Sequence, residues 1–388
     1  MGHRVFLITE TRSSNGIPGV TELVPRADQP ELTAWLQRIL SFFLRKAGID
    51  PEHAWRFLSF LSLLRKCEPD IVHVHFAYSY YGWLAGLAGC RPLVVTVMGG
   101  DILFEEQGNP TPTGKWLTLE LLRRADYITS KSDYLTSVLD RLGKLAAKAE
   151  RIVWGIPLSK FRRTDAAALR SSLGLRSSQR VVLSPKILQP LYQVHLVVEA
   201  MSFVVRDMPE AVLLVTEYRP DPDYRAYIAR RVVELSLDRH VLFCGSINHQ
   251  DMPQYYSIAD IAVAVPSSDG LPQTLFEGMA CETPSILSKL SRYEEIVHHE
   301  YSAYFVETNP SDIAAGMLRL LRDASLRATI ARNALRIVTE EANLDEQSGR
   351  VERRYRELAK TVPARAFTLS GLWSAWRSLR QFQASHKQ

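Results

Sequence analysis

The sequence predicts an α/β protein made of two doubly wound domains, and three observations point to that class. The chain has 388 residues, more than one ordinary hydrophobic core accommodates. Apolar residues make up 46% and charged residues 23%, enough to fill two cores and too apolar for a disordered chain. Short apolar runs alternate with longer helical patterns, the sequence form of parallel strands covered by helices on both faces.

In the first half the apolar runs are 5–8, 71–75, 93–97 and 127–129. In the second half they are 181–184, 212–216, 241–244, 261–265, 285–287 and 303–306. Each is rich in Val, Ile, Leu or Phe and too short for a globular helix. The pattern breaks over 154–164, where Gly155 and Pro157 are followed by a basic stretch. This predicts an N-terminal domain over 1–160, a second domain over 161–345, and C-terminal helices over 346–388 that return to the first. Two such domains facing each other leave a cleft at the carboxyl ends of their strands, where ligands of open α/β sheets bind.

The formal charge of +5 is too small to imply nucleic acid and suits phosphorylated small molecules or an anionic membrane surface. Cys67, Cys90, Cys244 and Cys281 lie far apart with no CxxC pair, so neither a zinc site nor a disulfide framework is expected. The start of the chain reads as a strand rather than a secretory leader. The apolar stretch 78–97 is cut by Arg91-Pro92, which excludes a spanning helix there. A cytoplasmic protein is expected.

The chemistry concentrates after the run 261–265. Gly270 permits a tight turn or a close ligand approach, and Pro272 suits the first position of a helix. Backbone N–H groups at that helix start form an anion site. Asp269 and Glu277 stand eight residues apart, one on the loop and one inside the helix. A carboxylate accepts from two hydroxyls at once, as a ribose or hexose diol requires. The competing reading is a capping Asp269 and a solvated Glu277. Asp221-Pro222-Asp223 mimics a metal-binding acid pair, but its place after the run 212–216 reads as a turn.

The block Asp269-Gly270-Leu271-Pro272-Gln273-Thr274-Leu275-Phe276-Glu277-Gly278-Met279-Ala280-Cys281-Glu282-Thr283-Pro284 resembles the donor motif of the group-one, family 4 type, retaining glycosyltransferases. These have the GT-B fold of two Rossmann-like domains. The likeness extends to Tyr255-Tyr256-Ser257-Ile258-Ala259-Asp260 before the block, and more weakly to Asp70-Ile71-Val72-His73-Val74-His75 and Val94-Val95-Thr96-Val97-Met98-Gly99-Gly100-Asp101 in the first half. The resemblance implies that Glu277 binds the donor ribose and that Asp269 lies by the transferred sugar. It implies that Gly270, Leu271, Pro272, Gln273 and Thr274 contact sugar and diphosphate, and that Ile247 lies near the base. It implies no cofactor and no metal, with a nucleotide-diphosphate sugar as donor and a saccharide or lipid-linked acceptor.

Four departures from the family pattern qualify this. Ile187 and Tyr192 occupy the positions of the family's phosphate-binding Arg and Lys, which leaves Lys186 as the nearest cation. Met98 stands for a frequent His, and a thioether moves no proton. His75, Met98, Gly99 and Asp101 are therefore assigned to the cleft on the acceptor side, with Asp101 read as a cap more than as a base. Residues 2–9 look like the family's second strand, so the first domain is expected to lack its first strand and helix. Basic amphipathic stretches at 35–66 and in the tail from Leu369 suggest a membrane interface or packing on the N-terminal domain.

Two function readings stay open: an active transferase of polysaccharide or glycolipid biosynthesis, or a degenerate homologue that binds a nucleotide sugar or a partner. A sugar-nucleotide epimerase fits less well, lacking the several acids and histidines such a site uses.

Overall fold

The computed structural model describes residues 3–9, 19–24, 51–104 and 110–365. The tail from Leu369 and the first half of the stretch 35–66 lie outside them. The strands are β1 (Val5–Ile8), β2 (Val20–Leu23), β3 (Val72–His75), β4 (Leu93–Val97), β5 (Tyr127–Ser130), β6 (Ala149–Arg151), β7 (Arg180–Ser184), β8 (Ala211–Val215), β9 (Val241–Phe243), β10 (Ile261–Ala264), β11 (Ser285–Ser288) and β12 (Tyr304–Val306). All ten predicted runs form strands, and β2 and β6 are additional. The chain divides into two compact units. The first holds residues 1–130, 136–150 and the chain from 352 onward; the second holds 131–135 and 151–351.

In the first unit β1 pairs with β2 in parallel, and β3, β4, β5 and β6 follow one another in a separate sheet. β3, β4 and β5 are parallel, with Val72 opposite Leu93 and Val94 opposite Tyr127. β4 carries Leu93, Val94, Val95 and Val97 fully buried, as a central strand covered on both faces must. Part of that cover is Leu358, which packs with Val94 and Tyr127.

The second unit is a six-stranded parallel sheet in the order β12-β11-β10-β7-β8-β9. Successive side chains on a strand point to opposite faces, and the core divides accordingly. Val181, Leu183, Val212, Leu214 and Leu287 enter one hydrophobic cluster; Val182, Leu213, Val215, Val263 and Ile286 enter the other. Helices Val194–Asp207, Pro222–Glu234 and Pro310–Arg322 cover the second face, and Met252–Ile258 and Gln273–Ala280 the first. Numbered within the unit, the strand order is that of a Rossmann sheet, and it reverses between β7 and β10.

Asp221 is a helix cap rather than a turn residue: its carboxylate accepts from Tyr224 N at 2.8 Å. All four cysteines are free thiols. No helix among the described residues is long and apolar enough to cross a membrane.

Within the second unit, Gly155 marks where two segments meet backbone to backbone. Ile156 N donates to Ala342 O at 3.0 Å and Leu344 N to Ile156 O at 3.1 Å. A Cβ on Gly155 would stand 1.9 Å from Ala342 O, a backbone atom with no rotamer to yield. Gly155→Ala is expected to destabilise by about 3 kcal/mol, the upper end of ordinary overpacking. A thermal melt should show a midpoint lower by roughly 6–12 °C; an unchanged midpoint contradicts the packing described.

Candidate donor site and acceptor-side strand ends

β7 and β10 are neighbours, but the helices that follow them go to opposite faces of the sheet. Their carboxyl-end loops therefore part and open a crevice, the usual ligand position of such sheets. The loops are still tied where Ser267 N donates to Leu191 O at 3.0 Å. Lys186, two residues after β7, puts its Nζ 2.6 Å from Asp269 Oδ2, on the loop after β10. The ion pair thus spans the reversal point. Lys186 is 4% exposed, and its ammonium lies 5.2 Å from the Tyr192 ring centroid. Burial and then the Asp269 charge raise the pKa of both the Tyr192 and the Tyr293 phenols, Tyr293 well above its usual value. Arg292 donates to Ser268 Oγ at 3.0 Å on the same loop.

Gly270 and Leu271 are buried, and Pro272 is the cap of helix Gln273–Ala280. The first N–H groups of this helix, at Gln273 and Thr274, lie at the end where helix geometry leaves donors without intrahelical partners. Buried Gln273 Oε1 and Thr274 Oγ1 have no hydrogen-bond partner among the described residues. Buried polar atoms are normally satisfied, so a polar ligand suits this helix start.

Glu277 is 4% exposed and belongs to a second network. Its Oε2 accepts from Tyr256 Oη at 3.0 Å, and its Oε1 lies 2.9 Å from His249 Nε2. The predicted picture of a solvated Glu277 as the alternative is thereby removed. Burial and Glu277 push the Tyr256 phenol well above its usual range, so it stays a donor. His249 is mostly exposed; its ring lies 5.1 Å from that of Phe161, and its Nδ1 is 3.0 Å from Lys160 Nζ. Ile247 lies half-buried on the same loop, after Gly245. The structure therefore joins Lys186 to Asp269 and places Ile247 on the loop that meets Glu277. It puts the two acids on separate hydrogen-bond networks rather than side by side.

In the first unit, His75 ends β3 and is exposed. Met98 is half-buried, and Gly99 has φ 120°. Asp101 is fully buried and is neither a base in solvent nor a simple cap. Its Oδ1 accepts from Met98 N and Gly99 N, each at 2.9 Å, and its Oδ2 from Ala77 N at 2.6 Å. It ties the loop after β4 to the loop after β3. Among the described residues no three His, Cys, Asp or Glu side chains converge as metal ligands do.

His73 bonds through Nδ1 with Tyr355 Oη and through Nε2 with Thr96 Oγ1 at 2.6 Å. Burial, and less strongly His75, hold its pKa well below the usual imidazole value. The folded state keeps this ring neutral, while the unfolded chain protonates it below about pH 6.5. Stability is therefore fully present above that pH and falls below it, by up to about 1.4 kcal/mol per pH unit. Urea unfolding between pH 5 and 7 should show this slope, and His73→Asn should flatten it.

Residues 1–160 match the family model described as Glycosyltransferase Family 4, and residues 165–336 match Glycosyl transferases group 1. The chain belongs to the group 1 glycosyltransferases. Among its curated relatives is the N-acetyl-alpha-D-glucosaminyl L-malate synthase of Bacillus anthracis, 22% identical over 276 residues, 70% of each chain. The D-inositol 3-phosphate glycosyltransferase of Mycobacterium tuberculosis is 29% identical over 231 residues, 56% of this chain and 46% of that one. The sucrose-phosphate synthase of Thermosynechococcus elongatus aligns with a TM-score of 0.74 at 21% identity, over 92% of this group 1 chain and 89% of that one. HepE of Anabaena in complex with UDP-glucose aligns at 0.69 and 19% identity, over 77% and 82%. These structural likenesses give the GT-B fold.

Proposed function

We propose that this group 1 glycosyltransferase moves a sugar from a nucleoside-diphosphate donor to a saccharide or lipid-linked acceptor with retention of anomeric configuration. The carrying observation is Glu277, a buried carboxylate near a helix start where Gln273 Oε1 and Thr274 Oγ1 lack partners among the described residues. Glu277 takes the ribose hydroxyls, in place of or beside His249. The helix start and Lys186 take the diphosphate, and Asp269 lies by the transferred sugar. HepE, of like fold, was crystallised with UDP-glucose, which supports a nucleotide sugar as ligand.

In the reaction the anomeric carbon's bond to the phosphate oxygen breaks, and a bond to the acceptor oxygen forms on the same face. The acceptor proton passes to the departing phosphate oxygen. Charge on the leaving diphosphate is stabilised by N–H dipoles and the Lys186 ammonium, aimed before the reaction begins. Neither a cofactor nor a metal belongs to this reading. Four free cysteines suit a reducing compartment, so we place the protein in the cytoplasm. The +5 charge suits the membrane's anionic face, where a lipid-linked acceptor would be met.

One observation favours a binding protein without turnover: Lys186 is already neutralised by Asp269. Incubating the chain with UDP-, GDP- and ADP-sugars and a cell-extract acceptor separates the readings. Nucleoside diphosphate release that depends on the acceptor supports transfer; donor binding without release supports the other.

A further inference from the structure

Phe76 directly follows β3 and has φ 74°, a left-handed conformation that L-residues with bulky side chains avoid. Among the described non-glycine residues with positive φ, Glu68, Lys144, Ser236 and Glu282 each follow a helix, where such a conformation is a common ending. Gln193, Arg219 and Glu300 are polar. Phe76 is the only apolar member, and it ends a strand.

The conformation is imposed from two sides. Phe76 N donates to Thr96 O at 3.1 Å, and Ala77 N donates to the buried Asp101 carboxylate at 2.6 Å. Burying a carboxylate is unfavourable unless backbone donors satisfy it, and Asp101 spends its oxygens fixing this turn. The outcome of that fixing is a phenyl ring 41% exposed, with no aromatic ring packed on it among the described residues. Strain held in place to present an exposed aromatic ring points to recognition rather than packing. The ring lies at the carboxyl end of the parallel sheet, the end at which open α/β sheets bind ligands.

We infer that Phe76 is a stacking platform for a pyranose ring of the acceptor, a reading that rests on the transferase function proposed above. The negative face of the phenyl quadrupole matches the C–H-rich face of a pyranose. His75, the preceding residue, ends β3 at the same place, and its imidazole, packed 4.0 Å from the His73 ring, carries nitrogens of the kind that bind sugar hydroxyls. An acyl chain would use the ring but not the imidazole, so a sugar is favoured over a lipid tail.

The test uses the full chain and saturation-transfer NMR with methyl glucopyranoside, galactopyranoside and mannopyranoside. Wild type and Phe76→Trp should transfer saturation to ring C–H protons of at least one pyranoside, and Phe76→Ala and Phe76→Gly should lose it. Thermal melts supply the second readout. Both variants lack the ring, but only glycine relieves the left-handed strain, so Phe76→Gly should melt roughly 2–4 °C above Phe76→Ala. No signal with any pyranoside in wild type, or signal kept in Phe76→Ala, overturns the platform. A glycine variant melting below the alanine one overturns the strain. Thermal shifts with UDP and GDP form a separate arm. A nucleotide shift without a pyranoside signal sinks the platform alone, and the reverse result sinks the donor reading alone.

Discussion

Glu277→Gln is expected to lower donor affinity by about 10²-fold or more while leaving the fold intact. The side chain is buried, and glutamine keeps its volume, so the helix Gln273–Ala280 should pack as before. An amide oxygen can still accept from Tyr256 Oη. The other position becomes an NH₂ group, which donates where a ribose hydroxyl needs an acceptor. Hydrogen bonds to a charged group contribute about 1.5–3 kcal/mol each, so two to a ribose amount to roughly 3–6 kcal/mol, of which part survives in the amide. Each 1.4 kcal/mol is about tenfold, which gives the stated loss. Titration calorimetry with UDP-, GDP- and ADP-sugars, beside a thermal melt, reads both halves. Unchanged affinity in a folded variant removes Glu277 from the donor site. His249→Ala gives a useful contrast: it frees one oxygen of Glu277 without touching its charge, and affinity should change far less.

Which of these features could be read in the sequence follows from how local each one is. The ten predicted strands were legible because each is a short apolar run, and in β4 and β8 the run is buried along its whole length. β2, Val-Thr-Glu-Leu, and β6, Ala-Glu-Arg, give no such run, and both are only partly buried. Asp269 and Glu277 were legible because one loop and one helix carry both. Their partners were not: Tyr256, His249 and Lys186 stand 21, 28 and 83 residues away. Sheet order brings them in, and periodicity does not encode sheet order. Asp101 shows the same limit. Its third donor, Ala77 N, comes from 24 residues earlier, so a local reading saw a cap where the structure has a tie between two loops. Phe76 carried no signal, since an apolar residue after a strand is unremarkable until its φ is known.

Removing Lys186 alone should damage stability and donor use together, and removing its partner as well should separate the two. Lys186→Met leaves the Asp269 carboxylate, 17% exposed, facing an apolar side chain beside Tyr192 and Tyr293. Breaking a buried pair from one side costs about 3–5 kcal/mol, because the surviving charge is uncompensated. For a unit of this size the melt should fall by roughly 6–20 °C. In Lys186→Met with Asp269→Asn neither member of the pair keeps its charge, and replacing both members of such a pair is often close to neutral. The double variant should therefore recover most of the lost melting temperature. Donor turnover should not recover, since the diphosphate has lost the cation at the sheet's reversal point and the sugar has lost its carboxylate. A double variant that regains stability and turnover together would mean that the ion pair only holds two loops closed. The diphosphate would then be held by the helix start alone, with Gln273 and Thr274 as the next residues to change.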